Sequence, residues 1–197
     1  MKVTPKILIV GHGRHGKDTL AQIINLELEH KFRGSSEVAA REVIYPVMSN
    51  FYSSPEDAFE RRHDNRELWR ALISDFNRED PTKLACLVCE GGYGYVGLRD
   101  KTEVISAVKQ GFFTHVIWVK RPDLEENDTT MMFTLEDLEK LQEKGFLRNL
   151  AVVHNHSVEI LKDIVVNEIK EFLGEYHRNC CIYLKVDRKE LLEKPAS

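Results

Sequence analysis

The residues best equipped for chemistry are crowded into one short stretch, GHGRHGKDT, from Gly11 to Thr19. Its spacing is G-x-x-x-x-G-K, with Asp18 where Ser or Thr usually stands. Glycines let successive backbone N–H groups turn inward around an anion, and a helix starting at Asp18 adds its positive end. On this reading Gly11, His12, Gly13, Arg14, His15 and Gly16 form a cradle for ATP, and Lys17 reaches its β and γ phosphates. Asp18 or Thr19 would hold Mg2+, directly or through water. An ordinary Gly-rich strand-to-helix turn is the bland alternative. The lysine placed between an apolar run and an amphipathic one favours the phosphate reading. Gly11, Gly13 and Gly16 also satisfy the dinucleotide spacing G-x-G-x-x-G, with Glu37 roughly placed for a ribose. Lys17 directly after the last glycine favours a nucleotide kinase or NTPase instead. His12 and His15 carry no metal signal and are expected to pack or bond locally. Arg14, at the loop tip, is placed either to touch phosphate or to be solvated.

Two further stretches suit an acceptor. In FERRHDNRELW, Phe59 to Trp69, Arg62 and Arg66 are four apart and are expected on one helical face, with Asn65 beside them and Trp69 one turn on. Two guanidiniums beside an aromatic plane could clamp a phosphate and stack a base. A solvated helix laced with charge pairs explains the same residues. In GLRDKTEV, Gly97 to Val104, Arg99 is aimed at the phosphate region, Asp100 is a natural helix cap, and Glu103 either orients Arg99 or caps. If the acceptor is a hydroxyl, Glu37 and Asp64 are the candidate bases.

These stretches need elements to hold them. Strand-like runs at Lys6 to Val10, around Phe32, Tyr93 to Val96, His115 to Val119 and Leu150 to Val153 alternate with helical patterns. Those helical patterns run from Asp18 to about His30, from Glu37 to a stop at Pro46, and from Val158 to Leu173. Others are opened by Ser54–Pro55, by Asp80–Pro81 and by a Thr134–Asp137 capping box. The alternation predicts an α/β protein, a mostly parallel five-stranded sheet with helices on both faces, and the Gly11–Lys17 spacing makes it a candidate for the P-loop NTPase/nucleotide kinase fold. Four loops, Gly11–Thr19, Ser35–Ser36, Gly97–Arg99 and Lys120–Arg121, would then converge beyond the strand ends. Residues 1–175 are expected to form the kinase domain. Residues 176–197 read as a tail in which CIYLKV is either an edge strand or part of a partly disordered end.

A net charge of −4 counts against a broad DNA-binding face, although a local basic pocket can still hold phosphates. No apolar run approaches a membrane span, and MKVTPK lacks the long apolar segment of a signal peptide, so the expected location is cytoplasmic. Of the four cysteines, Cys86 and Cys89 are expected as buried helix thiols rather than zinc ligands, and Cys180–Cys181 lack useful spacing.

GHGRHGKDT, the serine pair before an Ala-rich helix, the Arg–Asn–Arg helix and G-L-R-x-x-x-E together resemble phage deoxynucleoside monophosphate kinases and their relatives. Among those relatives are kinases that phosphorylate 5-hydroxymethyluracil within phage DNA, a step in thymidine hypermodification. The resemblance spans roughly residues 5 to 173. It implies a P-loop kinase using ATP and Mg2+, with Lys17 and Asp18 in the phosphate and metal roles. Arg62, Arg66 and Arg99, with Ser36, Asn65 and Trp69, would line the acceptor side. The GHGRHGKDT loop looks nearer to the 5-hydroxymethyluracil DNA kinases than to the free-nucleotide kinases, so hydroxymethyluracil-containing DNA is the expected acceptor and a free deoxynucleotide the alternative. A non-catalytic nucleotide-binding module is the remoter one. The chain departs from kinase practice in two places. RPDLEENDTT offers only Arg121 where many relatives carry an arginine-bearing lid, and Lys120–Arg121 stand where an aspartate commonly follows the HVIWV strand.

Overall fold

The structure, a computed structural model, describes residues 5–125, 131–174 and 182–189. Six strands build one sheet: β1 (Ile7–Val10), β2 (Phe32–Gly34), β3 (Gly94–Val96), β4 (His115–Lys120), β5 (Asn149–His154) and β6 (Ile182–Val186). Their order is β2-β3-β1-β4-β5-β6, and every neighbouring pair is parallel. The sheet therefore has six strands, not the expected five. The sixth was hard to read because Ile182–Val186 lies at an edge with Tyr183 and Lys185 exposed, which dilutes its apolar pattern.

Central strands of such a sheet are covered on both faces, so they read as unbroken apolar runs. ILIV and HVIWV behave this way. Leu8 and Val10 join Val116, Trp118, Leu150 and Val152 on one face, while Ile7 and Ile9 join Ile117, Val119, Ala151 and Val153 on the other. The second face is covered by α1 (Lys17–Leu28) and by α9 (Val158–Ile164) and α10 (Lys170–Gly174) near the end of the chain. The first face is covered by α2 (Ser35–Ala39), α3 (Tyr45–Met48), α4 (Pro55–Glu60), α5 (Arg66–Phe76), α6 (Lys83–Cys89), α7 (Lys101–Lys109) and α8 (Leu135–Glu143). With β1 central and a glycine loop joining it to α1, this is a parallel α/β sheet with a strand–loop–helix unit of the P-loop type.

Several local signals hold. Ser54 and Thr134 accept from the amides of Asp57 and Asp137, and the Thr134–Asp137 capping box is complete. Pro46 does not stop its helix. Residues Ala40–Ile44 form a π-type turn in which the Tyr45 amide donates to Ala40, and the helix runs on to Met48. Proline has no amide to give and needs room one turn back, and the widened turn supplies that room. A second π-type turn, Val165–Ile169, joins α9 to α10. The cysteine expectation is half right: both lie on α6, but Cys86 is exposed. Burial pushes the half-buried Cys89 thiol up to about 12. Cys180 and Cys181 lie outside the described residues. Among those residues no helix is long and apolar enough to cross a membrane.

Candidate active site at the phosphate loop

The loop from Gly11 to Gly16 is fastened to the sheet by contacts that leave no room for side chains. A Cβ on Gly11 (φ +141°) would lie 2.2 Å from the Val119 carbonyl oxygen. One on Gly16 (φ +94°) would lie 2.2 Å from Asn155 Nδ2. That same amide donates to the His15 carbonyl at 3.0 Å, and the Asn155 backbone N–H donates to Lys120 at 2.7 Å. One residue just beyond β5 thus ties the loop, through its side chain, to the end of β4, through its backbone.

The histidines face inward, as expected of local packing. The His12 ring stands edge-on to Trp118 with centroids 5.8 Å apart and lies 5.4 Å from the His15 ring. His15 is fully buried, and its Nδ1 accepts from the Arg121 amide at 3.3 Å. Arg14, exposed at the tip, takes a left-handed backbone with φ 64°, a conformation that costs a non-glycine residue about 1 kcal/mol.

Helix α1 begins behind a left-handed Gly16 with no side-chain cap. The N–H groups of a first helical turn have no partner within the helix, so an uncapped start behind glycines suits an anion. Lys17 is 7% exposed, and its ammonium donates to the His12 carbonyl at 2.7 Å, folded across the loop mouth. Asp18 is exposed and Thr19 half-buried on the first turn. Carboxylate and hydroxyl are hard oxygen donors, the kind Mg2+ takes.

Asp18 also lines a cleft of about 190 Å³ between α1 and β2, with Gln22, Asn25, Arg33 and Gly34. Arg33 is a residue the sequence reading missed. Its guanidinium lies 3.7 Å from the centre of the Tyr93 ring, which holds it at the cleft wall. The one available signal was a charged residue inside a short strand, β2, at the sheet edge.

Ser35, Ser36 and Glu37 open α2 directly after β2, with Glu37 exposed. The Ser35 hydroxyl reaches the Gly97 carbonyl at 3.5 Å and so ties the ends of β2 and β3. Arg99 is exposed, and its carbonyl accepts from Met132 at 3.0 Å, anchoring the far end of the loop that follows β4. Residues 126–130 of that loop lie outside the described residues. Asp100 caps α7 as expected, accepting from the Glu103 amide at 2.9 Å. Glu103 neither orients Arg99 nor caps. Its side chain is buried and accepts from the Tyr95 hydroxyl at 3.2 Å, and burial raises its carboxyl from 4.5 to about 8.

The expected arginine clamp is not one helical face. Helix α4 ends at Glu60, a turn follows, and α5 starts at Arg66, so Arg62 and Arg66 belong to different elements. Arg62 donates to the Phe59 carbonyl at 2.8 Å, and Arg66 contacts His63 Nδ1 at 2.7 Å. Asn65 stands at the N-cap of α5 without a capping side-chain bond, and Asp64 pairs with Arg61 at 3.5 Å. Trp69 is 5% exposed and packs in the core, so its ring is not available to stack a base. Four-residue spacing gives one face only if the helix is continuous, and residues 61–65 interrupt it.

No protein-family model and no curated protein matches this sequence. Among solved structures it is similar to dephospho-CoA kinase from Campylobacter jejuni, at 15% identity, covering 85% of this chain and 97% of that one with a TM-score of 0.42.

Proposed function

We propose that the chain is an ATP-dependent phosphotransferase whose acceptor is the hydroxymethyl group of 5-hydroxymethyluracil in DNA. The observation that carries the phosphotransferase reading is the uncapped start of α1 behind a left-handed Gly16, with Lys17 folded over the loop mouth. ATP phosphates would replace the His12 carbonyl as the partner of the Lys17 ammonium. Asp18 and Thr19 would hold Mg2+, which when bound neutralises phosphate charge. The acceptor hydroxyl oxygen bonds to the γ-phosphorus, the bond from that phosphorus to the bridging oxygen breaks, and ADP leaves. The hydroxyl proton goes to a carboxylate, and Glu37 suits this better than Asp64, which Arg61 already engages. Catalysis of this kind is mainly positioning and charge neutralisation.

The choice of DNA rests on the resemblance of GHGRHGKDT and on the acceptor side itself. Buried Trp69 offers no stacking plane for a lone nucleotide. The cleft beside Arg33 favours the second reading, a free deoxynucleoside monophosphate whose phosphate that arginine would meet. Purified protein with γ-labelled ATP and Mg2+, offered hydroxymethyluracil DNA, unmodified DNA and free deoxynucleoside monophosphates, separates the two. Label entering only modified DNA supports the proposal. Label entering only free nucleotides replaces it with the second reading, and no transfer to any acceptor, with ATP still bound, leaves a nucleotide-binding module.

A further inference from the structure

The geometry points to a transition-metal site, of the class that takes Zn2+, where β5 and β6 end, built by His154, His156 and Asp187. His154 closes β5, His156 follows two residues on, and Asp187 is the first residue after β6. Their donor atoms all lie within 4.8 Å of one another, the one such group among the described residues. His156 Nε2 is 2.7 Å from one Asp187 oxygen, and His154 Nδ1 is 3.1 Å from the other.

Hydrogen bonding alone accounts for only half of this cluster. His156 Nε2 bonds to Asp187, but His154 Nδ1 is buried beside the second oxygen without hydrogen-bond geometry to any partner. Its side chain is 15% exposed and that of His156 6%, whereas Asp187 is 42% exposed and forms the open side. Two sheltered imidazoles and one accessible carboxylate match a three-ligand metal centre with a vacant coordination position. Zn–N distances of about 2.0–2.1 Å place neighbouring donors about 3.3 Å apart, so the widest pair needs to draw in by at most about 1.5 Å. Imidazole donors suit Zn2+, Co2+ or Ni2+ far better than Mg2+. Arg188 does not compete for Asp187: it pairs with Glu168 and lies 4.0 Å from Asp163.

A metal here would fasten the edge strand β6 to β5. It would also hold the 154–156 turn, whose middle residue, Asn155, carries the phosphate loop. The site is therefore distinct from the Asp18–Thr19 position yet one residue from the loop's tether.

The test uses the full chain, stripped with a chelator and titrated with Co2+. A single equivalent should give the visible d–d absorption of a low-coordinate centre, displaced by Zn2+ and not by Mg2+. His156→Ala and Asp187→Asn should each weaken binding at least about tenfold. Cys86→Ser, which removes an exposed thiol elsewhere, should leave it unchanged. A second readout guards against misfolded variants: Zn2+ should raise the melting temperature of the native chain and not that of Asp187→Asn. Absent d–d bands, full binding by Asp187→Asn, or loss of binding in Cys86→Ser would each overturn the site.

Discussion

The phosphate loop and the Arg61–Arg66 turn both announce themselves as anion sites in the sequence, and the fold treats them in opposite ways. The loop is wedged between strand ends, its glycines pressed on Val119 and Asn155 and its histidines packed inward. The turn rests on the surface, its cations satisfied by a carbonyl, a histidine and neighbouring carboxylates. Preorganised groups in a sheltered site act far more strongly on a bound charge than solvated ones do. Residue type alone does not make a site; a rigid backing does.

Five substitutions probe that contrast. Trp69→Ala should destabilise the fold by about 3–5 kcal/mol in denaturant unfolding, the usual scale for emptying a buried aromatic, and a purely functional loss at native stability would return Trp69 to the acceptor site. Lys17→Ala should cut phosphoryl transfer at least about a hundredfold, read with labelled ATP, while the melting temperature changes little.

Glu103→Gln tests the buried acid between β3 and α7. Because burial lifts its carboxyl from 4.5 to about 8, the native state keeps a proton that the unfolded chain has lost. Stability should then be full below pH 4.5 as far as this group is concerned and fall as pH rises towards 8, by up to about 1.4 kcal/mol per unit. The glutamine variant should flatten that slope and be the more stable protein at pH 8. Equal slopes would show that Glu103 is ionised in the fold. Asn155→Ala should loosen the loop and weaken ATP binding by roughly tenfold, about the value of one buried hydrogen bond to a carbonyl, measured by calorimetry. Arg66→Ala should change acceptor KM by less than about threefold, as for a solvent-exposed charge. A larger effect would promote the turn to a true clamp.

Much of the frame was legible. ILIV and HVIWV are apolar without interruption because helices cover both faces of their strands, and Ser54 and Thr134 carry their capping chemistry in the letters themselves. The glycine–lysine spacing located the loop for the same reason, since a backbone cradle needs those residue types. The misreadings share a cause: they depend on where a helix is continuous. Pro46 was read as a stop because a π-type turn leaves no mark in the sequence, and Arg62, Arg66 and Trp69 were placed on one face because the break at 61–65 contains no proline or glycine. Glu103 shows the remaining limit. Its spacing from Arg99 and Asp100 suggests an orienting or capping role, and only the tertiary placement beside Tyr95 makes it a buried acid with a raised carboxyl.

The position of β1 has a consequence for how the chain reaches this state. Its neighbours β3 and β4 come from residues 94–96 and 115–120, and the Lys6–Thr114 hydrogen bond beside it spans 108 residues. ILIV therefore leaves the ribosome well before either partner exists. Parallel pairing across such separations must close a long loop before any contact repays the lost entropy, which slows folding. The brevity of the run limits the hazard, and the glycines and charges of the phosphate loop directly behind it act as gatekeepers against intermolecular pairing. The Gly11–Thr19 stretch thus also protects the strand before it during synthesis.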